Sequence, residues 1–357
     1  MDRRPSEVVD MMTTTLAAHP SVDQAAKALL IRLASGHVAS AAMQVVLQLG
    51  IADRLVAGPV SIERLAAETA SSEDALYRVL RALASVGVFS EETPRTFALT
   101  RAGALLGSNG CAIRDQLRWM SHPLPIRASA EIMHSVRTGT DVIDTLTGSP
   151  LFALLAEDAA LSECFHDAMT DASTEIVTAV LETYEFSGID LLVDVGGGHG
   201  RLLSLVLSKY PAMRGVLFDR RDVVADAGRC LAAADLAGRF RIEAGDFFVS
   251  VPADGDAYVL MHILHDWDDV RALVILERIR AALQRRPSGR VIVIESLIAP
   301  GNRTDATKFA DLTMLLCVGG RERTLEEYRA LCARAGLELA RTVASRAGAS
   351  VLEARPA

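Results

Sequence analysis

Directly behind the apolar run Leu191-Leu192-Val193 stands Asp194-Val-Gly196-Gly-Gly198-His-Gly200, and no other segment limits the possible folds as much. A buried strand that ends in such a turn and runs into a helix, here expected over Arg201 to Lys209, brings bare backbone N–H groups against a nucleoside-bearing ligand.

The spacing narrows the ligand. The dinucleotide fingerprint G-x-G-x-x-G needs glycine at position 201, where this chain has Arg201. The pattern present is D-x-G-x-G-x-G, the form of S-adenosylmethionine sites. There is then no pyrophosphate to cradle, and Gly196 and Gly198 let the methionine part of the cofactor pass close to the backbone. Asp219 ends the next expected strand about twenty residues on, where a carboxylate can accept both ribose hydroxyls. After the third strand, Gly245-Asp246-Phe247-Phe248 offers a carboxylate for the adenine amino group and an aromatic face for its ring.

From residue 188 onward strands alternate with helical patterns. The strands are expected at Leu191 to Val195, Arg214 to Phe218, Phe240 to Ala244, Ala257 to Met261 and Val291 to Glu295. That alternation implies a parallel, doubly wound α/β sheet. Leu337 to Ala344 and Ser350 to Ala354 read as a terminal hairpin on its edge.

The chain is long enough for two or more cores, and its start has a different grammar. Residues 1–110 read as short helices with hydroxyl caps at Ser61 and Ser72, then a β-wing of Val88 to Ser90 and Thr96 to Leu99: a mostly helical winged-helix outline. Such an outline can read DNA, but Ser72 to Leu83 sets only Arg78 and Arg81 against Glu73 and Asp74. Dimerisation is the expected use, through the apolar helices Ala25 to Leu33 and Ala39 to Leu49. Residues 111–187 read as a helical segment whose Trp119, Met120, Met133, Phe152, Phe165 and Met169 could line a pocket or form core. Residues 188–357 make the cofactor-binding domain.

A formal net charge of −8 with no polybasic stretch disfavours a nucleic-acid partner. The N-terminus lacks a signal-peptide core and no apolar run reaches bilayer length, so the expectation is a cytoplasmic protein with no membrane partner. Five scattered cysteines, with no C-x-x-C pair, argue against a disulfide framework or a zinc site.

The chemistry is expected after the fourth strand, in Leu260-Met-His262-Ile-Leu-His265-Asp266-Trp267. His265 projects from the strand-to-helix loop, with a pKa naturally near neutrality, and is placed to act as a base. His262 reads as strand or wall packing. Glu295 ends an otherwise apolar strand, where a carboxylate costs desolvation energy unless partnered. Glu322 precedes the capping box Thr324-Leu-Glu-Glu327. Either acid could accept a hydrogen bond from His265 and hold its base tautomer.

Four segments in order, Val193 to Gly200, Gly245 to Phe248, Ile263 to Trp267 and Gly319-Gly-Arg-Glu-Arg-Thr324, resemble the small-molecule O-methyltransferases that use S-adenosylmethionine. That group spans plant caffeate-type and bacterial antibiotic-tailoring enzymes, and the likeness covers nearly the whole chain. It implies His265 as general base flanked by Glu295 and Glu322, with Gly196, Asp219, Asp246 and Phe247 holding the cofactor. It also implies Ser173 at the cofactor's amino-acid end and Phe165, Met169 and Met314 against the acceptor. Met261 departs from the pattern, standing where many relatives carry lysine, and the aromatics usual in relatives are missing around Pro123 to Ala128.

The expected reaction is therefore methylation of a phenolic or enolic hydroxyl of a small aromatic acceptor, without metal, by a homodimer that releases S-adenosylhomocysteine. The alternatives are methylation of nitrogen or carbon, diversion to decarboxylation or hydroxylation, and, from another class, a winged-helix regulator.

Overall fold

The computed structural model describes residues 22–108, 113–224, 236, 238–286 and 288–357. The expected boundary at 110/111, Cys111, Cys230 and the first 21 residues lie outside them.

Near the N-terminus, helices Val22–Ala34 and Gly36–Gln48 precede a three-stranded sheet with helices Ile62–Glu68 and Glu73–Ala84 against it. Strands β1 (Val60–Ser61), β2 (Phe89–Thr93) and β3 (Thr96–Leu99) lie in the order β1-β3-β2, all antiparallel. Ser72 caps Glu73–Ala84 by accepting from the Ala75 amide, and Leu76, Leu80 and Leu83 recur on the face that is buried. They meet Leu65, Phe89 and Phe97 in one cluster. The wing runs further than expected, to Thr93, because Arg95 takes a left-handed φ of +62° and tightens the turn. The two-residue β1 has too short a pattern to be read from sequence.

The middle segment is helical, and its breaks fall where turn chemistry puts them. Helix Pro123–Ala130 starts on its proline with His122 as cap, and Gly139 and Gly148 end helices in the left-handed conformation. The long helix Ala159–Thr183 is capped by Asp158, which accepts from the amides of Ala160 and Leu161. Trp119, Ala128, Ile143, Leu155 and Ala168 are buried together, with Phe152, Phe165 and Met169 packed partly buried at the edge.

The remaining strands, β4 (Leu191–Val195), β5 (Arg214–Asp219), β6 (Phe240–Ala244), β7 (Ala257–Met261), β8 (Arg290–Ser296), β9 (Leu337–Ala344) and β10 (Ala349–Pro356), form one sheet ordered β6-β5-β4-β7-β8-β10-β9. β4 to β8 are parallel, and β10 enters antiparallel between β8 and β9. β4 is buried throughout, as are Ala257 to Leu260 and Val291 to Glu295; this is why those strands read as unbroken apolar runs rather than alternations. The order reverses between β4 and β7, so the loops after those two strands open on one crevice at the carboxyl edge.

Among the described residues no single helix is long and apolar enough to cross a membrane. The bent pair Asp23–Ala34 and Gly36–Gln48 would pass by length and composition. Its Leu30, Ile31, Leu33 and Val38 are exposed.

Candidate active site

The loop after β4 forms one wall of the crevice. Gly196 has a φ of +72°, and a Cβ there would fall 2.5 Å from Ile263 Cδ1 and 3.6 Å from Phe247 Cε1. Gly198, at φ +57°, has nothing within 4 Å of a built Cβ. The Asp219 carboxylate accepts from the Gly198 amide (2.8 Å) and the Arg220 amide (2.7 Å), so the ends of β4 and β5 are tied together. Burial raises the Asp219 pKa, and those two amides oppose the rise. Asp194, fully buried below the glycines, is pushed up to about 7 by burial and by Asp219, and its Oδ2 has no partner. A trough of bare backbone with two acids beneath it fits a cationic nucleoside such as S-adenosylmethionine.

Phe247 meets Trp267 edge to face at 6.0 Å and Phe248 at 4.9 Å. Asp246 is exposed and caps its own turn by accepting from the Phe248 amide. Ser173 turns its hydroxyl back to the Met169 carbonyl, 2.5 Å away, along its own helix. Of the residues expected at the cofactor, Gly196, Gly198, Asp219 and Phe247 therefore gather at the crevice, while the polar groups of Asp246 and Ser173 are engaged locally.

β7 forms the other wall. At its end His262 takes a left-handed φ of +55°, strained for a non-glycine residue, and its Nε2 is buried without a partner. Burial, with a smaller contribution from His265, pushes its pKa down to about 3, so His262 is a neutral imidazole. Its ring stands edge on to His265, 5.1 Å away.

His265 lies on the short helical turn Leu264–Asp266 and is buried. Its Nδ1 is 2.9 Å from Glu322 Oε1 and 3.3 Å from Glu295 Oε2. Its Nε2 is 3.6 Å from Asp266 Oδ1. Glu295 is fully buried at the end of β8, and its Oε1 accepts from the amides of Leu264 and His265, fixing the turn that carries the histidine. Both acids therefore face Nδ1, where sequence reading left the choice between them open. Burial alone would lower the His265 pKa, but the Glu295 charge, the Glu322 hydrogen bond and Asp266 outweigh it and push it up to about 10. Burial pushes Glu295 up to about 7, against the pull of His265. The candidate ligand atoms of His265, Glu295 and Glu322 lie within 4.8 Å of one another, a spacing that also admits a metal ion.

The three residues expected against the acceptor, Phe165, Met169 and Met314, lie on the helices Ala159–Thr183 and Thr307–Cys317. Phe165 stands edge to face with Trp119 (5.0 Å) and Phe152 (6.3 Å), and Phe152 stacks on Trp267 at 5.9 Å, linking the helical segment to the His265 loop. Met169 is partly buried one helical turn from Phe165. Met314 sits near the end of helix Thr307–Cys317, and its carbonyl accepts from the Gly320 amide. Met261 is half-buried and packs against the core on one side of the sheet.

Sequence reading missed Asp311, which accepts from the Glu322 amide at 2.9 Å, and the stacked His166 and His199, 4.9 Å apart, that join the long helix to the glycine turn. It also missed Arg220, which reaches the Phe152 carbonyl. These are single polar residues whose contacts depend on tertiary approach, so no local pattern marks them.

Known proteins resemble this chain in sequence and fold. The model of the O-methyltransferase domain matches residues 130–338, and that of the O-methyltransferase dimerisation domain matches residues 31–109. The phenazine O-methyltransferase PhzM of Lysobacter antibioticus is 37% identical over 328 residues, 92% of this chain and 96% of that protein. The 8-amino-8-demethylriboflavin N,N-dimethyltransferase of Streptomyces davaonensis is 34% identical over 297 residues, 82% of this chain and 85% of that protein. The crystal structure of the O-methyltransferase NcsB1 from neocarzinostatin biosynthesis, in complex with S-adenosylmethionine and 2-hydroxy-5-methyl naphthoic acid, superposes with a TM-score of 0.78 at 31% identity. It covers 89% of this chain and 96% of that one. The chain belongs to the O-methyltransferase family and is an S-adenosylmethionine-dependent O-methyltransferase of the antibiotic and secondary-metabolite type.

Proposed function

We propose that the enzyme methylates a phenolic or enolic hydroxyl of a small aromatic acceptor, with His265 as the general base and Glu295 and Glu322 as its orienters. The observation that carries this reading is the Nδ1 contact to Glu322 at 2.9 Å, which supports an Nδ1–H donated to that carboxylate, with Nε2 as the nitrogen that would meet the acceptor.

S-adenosylmethionine supplies an electrophilic methyl group on a sulfonium. The protein has to align an oxygen with that methyl and take the hydroxyl proton as the new bond forms. Alignment contributes roughly 7–11 kcal/mol in well-oriented reactions. A positioned base adds about 10²- to 10⁴-fold. His265, pushed up to about 10, approaches the proton affinity of a phenol, but it takes a proton only as the neutral imidazole, so the reactive form, and with it kcat, should grow as pH rises toward 10. An ordinary alcohol is far less acidic and lacks that match. In this reading Phe165, Met169 and Met314 border the acceptor, and Gly196, Gly198, Asp219, Asp246, Phe247 and Ser173 hold the cofactor. The last requires the Ser173 hydroxyl to leave the Met169 carbonyl.

The same three side chains could bind a metal ion, but Glu322 already takes the Nδ1 proton and Glu295 already takes two amides, which supports a base with its orienters. Turnover that survives a strong chelator tests that choice. The N,N-dimethyltransferase relative favours a second reading, nitrogen methylation. An amine attacks through a free lone pair, so it has less use for a buried base backed by two carboxylates. Labelled methyl transfer across matched phenols and anilines separates the two: product NMR should place the new CH₃ on oxygen, and methylation confined to anilines would overturn the phenol reading.

The exposed apolar face of Leu30, Ile31 and Leu33, inside or beside the matched dimerisation segment, supports a homodimer. A monomer mass in light scattering would remove it. Two features support the absence of a nucleic-acid partner: Arg81 lies over the Tyr77 ring, and Arg95 pairs with Glu73 and Glu63. These two cations are thus engaged within the winged-helix region itself.

A further inference from the structure

The family-like segment Gly319 to Thr324 holds a residue that the reading above leaves without a role. Arg323 is the largest fully buried side chain among the described residues. A buried guanidinium is expensive unless all its donors are used, and here every nitrogen is engaged, mostly on the stretch from Leu264 to Asp269. Nη1 donates to the Leu264 carbonyl at 2.8 Å and to the Arg321 carbonyl at 3.3 Å. Nη2 donates to the Trp267 carbonyl at 2.8 Å, and Nη2 and Nε both donate to Asp269 Oδ1, at 2.9 and 3.0 Å. Leu264 and Trp267 flank His265, so one planar fork grips the short turn on both sides of the histidine. The backbone is held as well: the Arg321 amide donates to the His265 carbonyl at 2.8 Å, the Ile298 amide to the Arg323 carbonyl at 3.1 Å. Gly320 has no room for a Cβ, which would sit 2.1 Å from the His265 carbonyl oxygen.

Glu322 and Arg323 are neighbours in sequence and both act on this turn, one on the imidazole and the other on the backbone beneath it. We propose that Arg323 is a positioning residue that fixes the His265 ring against Glu322 and so sets the geometry of proton removal. This rests on His265 being the base. The groups facing His265 are His262 and Asp266 from its own loop, Glu295 from β8 and Glu322 from the loop shared with Arg323, so a displaced turn changes the distances to Glu295 and Glu322 together.

The test uses Arg323→Lys and Arg323→Met in the full chain. A lysine keeps the charge but cannot hold both flanking carbonyls and Asp269 together. The expected result for Arg323→Lys is a tenfold to hundredfold fall in kcat, since misplacement by about 1 Å can cost about 10²-fold. KM and cofactor affinity should stay within about twofold. Asp269→Asn, at a half-exposed partner, should move kcat in the same direction by less. A readout independent of turnover is the downfield imidazole Nδ1–H proton resonance, identified by its disappearance in His265→Gln; it should shift or vanish in Arg323→Lys. If that resonance and the pH profile of kcat are unchanged in folded Arg323→Lys, or if the loss only tracks the fraction unfolded, the positioning role is wrong. If His265→Gln keeps the wild-type rate, the base assignment fails instead, and the resonance still reports whether Arg323 orders the ring.

Discussion

At the residue scale the site is a histidine made basic by its surroundings. In the folded protein its pKa, about 10, stands above the ordinary histidine value of 6.5. The folded state therefore binds the proton more tightly than the unfolded one, and the resulting stability is fully present below pH 6.5 and lost as pH rises through about 10. The melting temperature should fall between pH 7 and 10, and His265→Gln should flatten that fall. A wild-type melting curve that is level over this range, or a variant with the same slope, would show that the imidazolium is not held this way. His265, Glu295 and Glu322 were legible from sequence because a histidine in a strand-to-helix loop, a carboxylate at the end of an apolar strand and an acid just ahead of a capping box are all conspicuous. That Glu295 also fixes the turn through two amides was not legible, because backbone donors leave no mark in a side-chain pattern. The left-handed φ of His262 was equally hidden.

At the scale of elements, the glycine turn shows why strand and helix alone do not make a site. Gly196 is needed twice over, once for its positive φ and once for the missing Cβ beside Ile263. Gly196→Ala should cost about 1–3 kcal/mol of stability from backbone strain and overpacking. It should also weaken cofactor binding at least tenfold, read by calorimetry. Unchanged affinity would mean that this glycine serves the turn and not the ligand. The strands of the main sheet fell almost where their apolar runs end, since buried parallel strands leave a dense hydrophobic signal. β1 did not, being two residues long and paired only through tertiary contact. The extension of β2 to Thr93 depends on the conformation of Arg95, which composition does not announce.

At the scale of the whole molecule, topology brings the parts together. Reversal of strand order between β4 and β7 sets the glycine turn beside the histidine loop, although 65 residues separate Gly200 from His265. Helix Thr307–Cys317 then meets the Glu322 loop through Asp311 and Met314. The alternation of strands and helices made this edge of the sheet predictable, but the approach of the middle helices was not, since one amphipathic helix carries no record of which partner it faces. The aromatic chain Phe165, Phe152, Trp267 and Phe247 spans the two halves and is seen only once they are packed. In the proposed mechanism, catalysis turns on His265 taking the acceptor's proton. The most direct test is the single-turnover methyl-transfer rate of His265→Gln at saturating cofactor and acceptor, with cofactor affinity measured in parallel. A rate lower by about 10²- to 10⁴-fold with affinity unchanged is the predicted result; transfer at the wild-type rate would contradict it.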